Sequence, residues 1–230
     1  MRAPLCVYCQ SADGGTRDHV PPRGLFPKPW PSTLVTVPCC ETCRKNQSRD
    51  DEYFIRTLAL HYDLGESSSV QALLPKVTRS LAYPKQRAFN QSLFRSIKEY
   101  QLAIPAGTPP RKVRTYSVDL ERLKRVVTRV TVGLFSHEFG RALPTDCYRS
   151  ATPLYGTENA PRDTQKHIDK LLALVLRAPE RSVQREVHFY HVLPSNDDPC
   201  QSLWLHVFFT RAPFLAVTSR VSPGSERSVG

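Results

Sequence analysis

The chain has 230 residues, with 32 Lys and Arg against 21 Asp and Glu and a formal net charge of +11. This length suits one large domain, or a small module followed by a main domain. The positive charge favours a polyanionic partner, most often nucleic acid, although a membrane surface or a merely basic protein would share it. No run of 18 apolar residues exists, which excludes a membrane-spanning helix.

The N-terminal sequence MRAPLCVYC lacks the apolar run of a signal peptide, so we expect a cytoplasmic protein. Seven cysteines in a reducing compartment are not expected to form disulfides, and close pairs among them indicate metal ligands. Cys147 and Cys200 stand apart from the others and are expected to be buried or inert.

Residues 1–62 form the first predicted module. Residues 1–47 are rich in Cys, Pro and Gly and show little periodicity, which is typical of a small module that needs a metal to fold. The run SRDDEYFIRTLALHY at 48–62 predicts a helix with Ser48 as its N-cap and the acidic residues 50–52 at the positive end of its dipole.

Residues 63–112 are predicted to be a connector with one helix. The stretch 63–85 mixes Gly, Ser and Pro, which indicates irregular structure. Apolar residues recur every four positions in QRAFNQSLFRSIKEYQL, residues 86–102, and predict a helix there. A loop follows at 104–112.

Residues 113–220 are predicted to be an α+β domain with an antiparallel sheet, of unknown role. Apolar residues step by three and four through 119–138, and a further helix is expected to start at Asp163. The aromatic and β-branched runs REVHFYHVLP, QSLWLHVFFTRAP and FLAVTSRV predict strands. The second run is apolar on both faces, which indicates a central strand covered on both sides. Residues 221–230 are predicted to be a disordered tail.

Two sets of side chains in this domain leave alternatives open. The basic residues of the helix at 119–138 either contact phosphates or form a solvated helix face: Arg122, Lys124, Arg125 and Arg129. The strand histidines are expected to be packed and hydrogen-bonded rather than catalytic: His188, His191 and His206.

Two CxxC pairs carry the clearest chemistry of the chain. Cys6 and Cys9 form one pair, and Cys40 and Cys43 form the other. Zinc prefers four thiolates in a tetrahedron, and each CxxC turn supplies two of them. We therefore predict a closed structural zinc site, with Cys39 as the alternative to Cys40 at the cost of a wider spacing.

Between the two pairs stands Asp18-His19-Val20-Pro21, followed by an extended run from Leu34 to Val37. In this order and spacing the first 60 residues resemble the zinc-bound branch of the HNH, or ββα-metal, endonucleases. The runs VPCCETC and DDEYF also resemble a group of bacterial HNH proteins of this size. The resemblance implies a zinc-stapled ββα-metal module ahead of the α+β domain, and a DNA-cleaving enzyme.

The resemblance also implies roles for individual residues. His19 would be the general base that activates water, and Asp18 would bind a single catalytic cation, Mg²⁺ or Mn²⁺. The four-cysteine zinc would be purely structural.

Two positions depart from the family pattern. Thr33 stands where the family has Asn, and Arg44 stands where the family has an Asn or His metal ligand directly after the second CxxC pair. Arg carries no acceptor atom. Asn46 is our candidate to complete the cation site, with Asp50 as the alternative, although Asp50 also suits a helix N-terminus.

The sequence thus predicts a Mg²⁺-dependent HNH endonuclease with DNA as the expected partner and RNA as the alternative partner. A second hypothesis is a zinc-knuckle nucleic-acid-binding protein that has lost catalysis, as Arg44 would permit. A third is a regulatory module whose positive charge serves RNA or an acidic protein. The sequence predicts neither a target nor an oligomeric state.

Overall fold

The computed structural model describes residues 4–61, 64–65, 67–83, 87–102, 111–155 and 157–220. The fold is mixed α+β, as predicted, with a cysteine cluster near the N-terminus and an antiparallel five-stranded sheet. Contacts divide the chain into one compact unit of residues 1–73 and 120–230 and a second unit of residues 74–119. None of the described helices is long and apolar enough to cross a membrane.

The N-terminal region folds as a β-hairpin followed by a helix. Strand β1, Thr16–His19, pairs antiparallel with β2, Thr36–Cys39, so that Thr16 lies opposite Cys39 and His19 opposite Thr36. Helix α1, Glu41–Ala59, follows at once. A short 3-10 turn, Arg23–Leu25, lies in the loop between the strands.

Helix α1 begins seven residues before the predicted start at 48, so that prediction was wrong at the N-terminus. Its N-cap is Cys40, whose sulfur accepts a hydrogen bond from the Cys43 amide at 3.4 Å. Ser48, the predicted cap, lies inside the helix and donates to the Lys45 carbonyl. Residues 50–52 are therefore central in α1 and not at the positive end of its dipole.

The main sheet holds five antiparallel strands in the order β5-β9-β8-β7-β6. Their bounds are β5 Tyr148–Pro153, β6 Arg181–Gln184, β7 His188–Pro194, β8 Ser202–Phe208 and β9 Ala212–Ser219. A second short 3-10 turn, Thr157–Asn159, follows β5. The prediction of three C-terminal strands is confirmed.

Strand β8 lies at the centre of the sheet, and helices cover it on both faces. Leu205 and Val207 pack with Val175 of α5, Arg162–Val175. On the other face, Trp204 packs against Phe139 in the last turn of α4, Leu120–Phe139. Phe208 packs edge-on against Phe54 of α1, with ring centroids 5.0 Å apart. The predicted central strand, and the helices predicted at 119–138 and from Asp163, are confirmed.

The predicted connector contains more regular structure than the sequence indicated. Helix α2, Ser68–Leu81, occupies part of the stretch expected to be irregular and includes Pro75. Its buried residues Val70, Leu73 and Val77 recur every three or four positions, which is the helical period. Burial of this apolar stripe explains a helix where composition suggested a linker.

The helix predicted at 86–102 is only half helical. Helix α3 covers Arg87–Ser96, and β3, Lys98–Leu102, then pairs antiparallel with β4, Arg111–Thr115. Within this strand the EYQL sequence, residues 99–102, alternates polar and apolar residues with the two-residue period of a strand. The loop predicted at 104–112 lies largely outside the described residues, and the tail at 221–230 lies wholly outside them.

Candidate functional site

The four predicted zinc ligands converge. The sulfur atoms of Cys6, Cys9, Cys40 and Cys43 all lie within 4.8 Å of one another. Cys9 and Cys40 are 3.8 Å apart, sulfur to sulfur, which matches the separation of about 3.8 Å that Zn–S bonds of about 2.3 Å give in a tetrahedron. The cluster can therefore hold a metal ion such as zinc.

Backbone hydrogen bonds bring the two CxxC turns together. The Gln10 amide donates to the Cys6 carbonyl at 2.9 Å and closes the first turn. The Val7 amide donates to the Pro38 carbonyl at 3.1 Å and joins that turn to β2. Because β2 leads directly into the second turn, this bond places the two pairs of sulfurs side by side.

Cys39, the alternative ligand, lies outside the cluster. Its thiol is fully buried and donates to the Cys40 carbonyl at 3.3 Å, and burial raises its pKa to about 12. By contrast, hydrogen bonds from Ser11 lower the pKa of Cys9 to about 6. Burial also raises the pKa of Cys43, which belongs to the cluster. The positions of the sulfur atoms, rather than the pKa shifts, therefore separate Cys39 from the four ligands.

Asp18 and His19 end β1, where neighbouring side chains leave the strand on opposite sides. The Asp18 atom Oδ2 accepts hydrogen bonds from the Tyr8 hydroxyl and from Nη1 of Arg129, both at 2.6 Å. Its other carboxylate oxygen, Oδ1, has no hydrogen-bond partner among the residues that the structure describes. One oxygen of this carboxylate is therefore fixed, and the other is available to a ligand.

Arg129 joins the hairpin, α1 and α4 through buried charges. Its side chain is only 8% exposed and contacts Asp51 as well as Asp18, and it also donates to Gln47 at 3.3 Å. Burial raises the pKa of Asp51 to about 7 despite the attraction of Arg129. The guanidinium thus compensates two acidic side chains that would otherwise be costly to bury.

His19 has the properties of a proton acceptor. Burial and the nearby charge of Arg23 lower its pKa, and the charge of Asp18 opposes them. No residue in the described part of the chain hydrogen-bonds to its imidazole. A neutral ring with both nitrogens available can take a proton from water.

Arg44, at the departure from the family pattern, lies on the exposed first turn of α1. Its guanidinium binds both carboxylate oxygens of Glu41, at 2.7 and 2.9 Å. The charge of Asp18 contributes to raising the Arg44 pKa, after the larger effect of Glu41. Arg44 therefore lies within electrostatic range of Asp18 while its side chain is held by Glu41.

The candidate ligand Asn46 is exposed and lines a cleft of about 650 Å³. Tyr8 and Arg129, the two partners of Asp18, line the same cleft. Asp50 lines it as well, but its carboxylate binds Arg122 and Arg125 of α4. Asn46 thus shares a cleft with the partners of Asp18, and Asp50 is already bound by two arginines.

Three of the four basic residues of α4 form ion pairs with β1 or α1. The sequence had left open only phosphate contacts or a solvated helix face for them. Arg122 and Arg125 bind Asp50, and Arg129 binds Asp18 and Asp51. Sequence reasoning missed these three arginines as partners of α1 and β1. The sequence signal for this pairing was an acidic run at 50–52 together with a basic helix at 119–138.

A glycine lets α4 lie close to the Asp-His pair. A Cβ atom on Gly133 would lie 2.6 Å from Cγ2 of Val20 and 3.3 Å from the Tyr8 hydroxyl. Val20 directly follows His19, and Tyr8 binds Asp18. Gly133 therefore permits the approach of α4 that places Arg129 beside Asp18.

Comparison with known proteins found no match to a family model, to a curated protein or to a solved structure. The assignment of this site depends on its own geometry and on the motif that the sequence carries.

Proposed function

We propose that this protein is an HNH-type endonuclease that hydrolyses phosphodiester bonds of DNA with one divalent cation. The supporting observation is the ββα order of the N-terminal region. The hairpin of β1 and β2 presents Asp18-His19 at a strand end, α1 follows, and four clustered cysteines link the hairpin to the start of α1. This arrangement agrees with the motif order that resembles the HNH nucleases.

His19 is the proposed general base. Phosphodiester hydrolysis needs a water molecule that loses its proton as it attacks phosphorus. The lowered pKa of His19 keeps the imidazole neutral at physiological pH, so it can accept that proton. The absence of a hydrogen-bond partner among the described residues leaves the ring free to orient toward a water molecule.

Asp18 and Asn46 are the proposed ligands of the catalytic cation, Mg²⁺ or Mn²⁺. Carboxylate and amide oxygens are the ligand types that these ions prefer. The free Oδ1 of Asp18 fits this role, while Tyr8 and Arg129 fix the carboxylate through Oδ2. A bound cation would stabilise the negative charge that develops on the phosphate.

One observation favours a second candidate, a nucleic-acid-binding protein without catalysis. Arg129 lies 2.6 Å from Asp18 and offsets the negative charge that would attract a cation. Arg44 adds a second positive charge near Asp18. Both arginines weaken cation binding electrostatically, and either protein would still use the four-cysteine zinc for structure.

DNA is the proposed partner, with RNA as the alternative. The net charge of +11 favours a polyanion. Lys124 and Arg149 line the same cleft as Asn46 and can contact a phosphate backbone there. Such contacts make binding weaken steeply as salt concentration rises.

The test is incubation of supercoiled plasmid with the zinc-loaded protein and Mg²⁺ or Mn²⁺, followed by gel electrophoresis. We expect nicked or linear product with wild type and no product with His19→Ala. His167→Ala, an exposed histidine on α5, is the matched control and should cleave like wild type. Omission of the added Mg²⁺ or Mn²⁺ from the zinc-loaded protein, which leaves the structural zinc in place, should stop cleavage.

If wild type binds plasmid with a steep salt dependence but cleaves it with neither metal, the nuclease proposal is wrong and the second candidate, a nucleic-acid-binding protein, is supported. If it neither cleaves nor binds DNA, repetition with single-stranded RNA tests the alternative partner. Cleavage that survives His19→Ala would contradict the assignment of the general base.

A further inference from the structure

A second cavity, of about 740 Å³, shares no lining residue with the cleft described above. Residues from the hairpin and its loop line it together with the end of α4 and with β6 and β7. They include Arg17, Phe26, Leu34, Glu138, His188 and Tyr190. The volume falls within the range of about 300–1,000 Å³ that is typical of small-molecule sites.

A buried chain of hydrogen bonds ends at this cavity. The Thr131 hydroxyl donates its proton to the Val127 carbonyl at 2.9 Å, so its oxygen must accept from Nε2 of His206 at 3.0 Å. With its proton on Nε2, His206 has a lone pair on Nδ1. That atom therefore accepts from Nε2–H of His188 at 3.3 Å.

This order leaves the Nδ1 lone pair of His188 as an acceptor. No residue in the described ranges donates a hydrogen bond to it, although the His188 residue is only 3% exposed. His188 lines the cavity, and its ring stacks on Tyr190, with centroids 5.6 Å apart. A fixed acceptor of this kind selects a ligand that carries an N–H or O–H donor.

Burial keeps both histidines neutral. It lowers the pKa of His206 to about 3 and that of His188 well below its usual value. The hydrogen-bond chain therefore stays in the tautomeric state that exposes an acceptor rather than a positive charge.

The charge at the cavity is positive on one side. Glu138 accepts from the Tyr190 hydroxyl and forms an ion pair with Arg181, so these charges offset each other. Arg17 is exposed, and its Nε and Nη2 donate hydrogen bonds to Thr36. Its Nη1 remains available to a ligand. Arg17 has no acidic partner among the residues that the structure describes. The cavity thus combines a neutral buried acceptor with one cation at its edge.

We propose that this cavity binds a nucleoside 5′-monophosphate, with a base N–H donated to Nδ1 of His188 and the phosphate at Arg17. Apolar side chains of the loop and of α4, among them Val20, Pro21 and Leu134, line the remaining walls and suit the faces of a planar ring. Every common base offers at least one N–H donor on its edge, and a guanidinium suits a phosphate. This site goes beyond phosphodiester cleavage and does not depend on it.

A metal ion does not explain the cavity. Within the part of the chain that the structure describes, only the four-cysteine cluster brings together three or more residues that can hold a metal. Glu138 and His188 do not form such a group. The acceptor at His188 is therefore available to an organic donor.

The test is isothermal titration of the full, zinc-loaded chain with AMP, GMP, CMP and UMP, each compared with inorganic phosphate. We expect saturable binding of at least one nucleotide at one site per chain, and at least tenfold weaker binding of inorganic phosphate. His188→Gln keeps a donor toward His206 but removes Nδ1, and Arg17→Gln removes the cation. Each substitution should lower the affinity for the bound nucleotide by about tenfold.

His191→Gln is the matched control, because His191 lies on β7 with its side chain on the opposite face, where Nδ1 meets the Ala178 carbonyl. It should bind like wild type. Binding of no nucleotide, equal binding of inorganic phosphate, or no effect of both Arg17→Gln and His188→Gln would overturn the proposal. If His188→Gln fails to fold, Arg17→Gln at the exposed edge and the ¹⁵N shift of His188 Nδ1 on titration of wild type decide the question.

Discussion

The Asp18 carboxylate binds the Arg129 guanidinium at 2.6 Å, and the two side chains are 14% and 8% exposed. This ion pair connects the last residues of β1 to the middle of α4. Because Arg129 also contacts Asp51 of α1, one guanidinium holds the three parts of the candidate site together. The geometry of Asp18 therefore depends on a residue far from it in sequence.

Arg129→Ala should lower the free energy of unfolding by about 3 kcal/mol, because it leaves two mostly buried acidic groups, 14% and 20% exposed, without their buried cation. Arg125→Ala is the matched control on the same helix. Arg125 also pairs with an aspartate, but its side chain is 58% exposed, so its loss should cost under about 1 kcal/mol. Urea denaturation of the zinc-loaded proteins measures both, and equal losses would contradict the role of Arg129.

The sequence predicted the cysteine cluster and the main sheet well because both leave short-range signals. Two CxxC pairs, and runs of alternating or continuous apolar residues, are visible without any knowledge of the fold. The partner of Asp18 leaves no such signal. Arg129 resembles Arg122 and Arg125 in sequence, and only the packing of α4 against the hairpin shows that Arg129 is the one beside Asp18.

Removal of zinc should unfold the cysteine module and spare the end of α1. The sulfur cluster links the CxxC turns, so chelation should raise amide hydrogen exchange across residues 5–44. Phe54 should remain protected, because it packs on Phe208 and Phe214 of the sheet. We expect one zinc per chain by elemental analysis, and unchanged zinc content in Cys147→Ser.

Hydrogen-exchange mass spectrometry before and after chelation measures this pattern. Uniform loss of protection through α1 would show that the helix depends on zinc along its whole length. Protein purified without zinc and fully folded would contradict the structural role of the cluster.

Gly133→Ala should destabilise the protein by about 1–3 kcal/mol, because the new Cβ would meet Val20 at 2.6 Å. The loss should exceed the small gain that Ala normally brings inside a helix. Gly15→Ala is the control, since no atom lies within 4 Å of its Cβ position, and it should be close to neutral. Thermal unfolding of both variants checks the difference, and a neutral Gly133→Ala would mean that α4 can move away from the hairpin without cost.

Stability should fall as pH decreases below about 6.5. Burial lowers the pKa values of His188 and His206 in the folded state, the latter to about 3. At pH values between these lowered pKa values and the usual histidine pKa of about 6.5, the unfolded chain therefore binds more protons than the folded chain. Protonation in this range favours unfolding. Each histidine contributes a slope of up to about 1.4 kcal/mol per pH unit in this range.

Denaturation of wild type and His206→Gln between pH 4 and 7 measures that slope. The variant should show a shallower dependence, whereas His167→Gln, an exposed histidine, should match wild type. Zinc release at low pH affects all three proteins alike, so the difference between them isolates the buried pair. Equal slopes in wild type and His206→Gln would show that His206 is not neutral and buried in solution.

The structure also shows where sequence patterns were misleading. Pro75 and the serines of 67–69 suggested a linker, but Val70 and Val77 form a buried stripe that defines α2. Ser48 was a credible N-cap from sequence, yet the sulfur of Cys40 caps α1 instead. Composition and residue preference were outweighed in both places by burial and by the geometry of the CxxC turn.

Substitutions at Arg44 and Asn46 should have different effects on the proposed cleavage reaction. If Asn46 is the second ligand of the cation, Asn46→Ala should abolish cleavage or require a much higher Mg²⁺ concentration. Arg44, within electrostatic range of Asp18, would then stabilise the scissile phosphate. Arg44→Asn should therefore lower the rate at saturating Mg²⁺.

Lys45→Asn is the matched control, because it removes the same charge from the same turn of α1. Lys45 is exposed and pairs with Glu41 at 3.5 Å, as Arg44 does at 2.7 Å, so Lys45→Asn should cleave nearly like wild type. Cleavage rates across a Mg²⁺ titration compare the three variants. If Arg44→Asn cleaves faster than wild type at low Mg²⁺ while Asn46→Ala is unaffected, position 44 is the ligand position. The native arginine would then inhibit cation binding by its charge and by its lack of an acceptor oxygen.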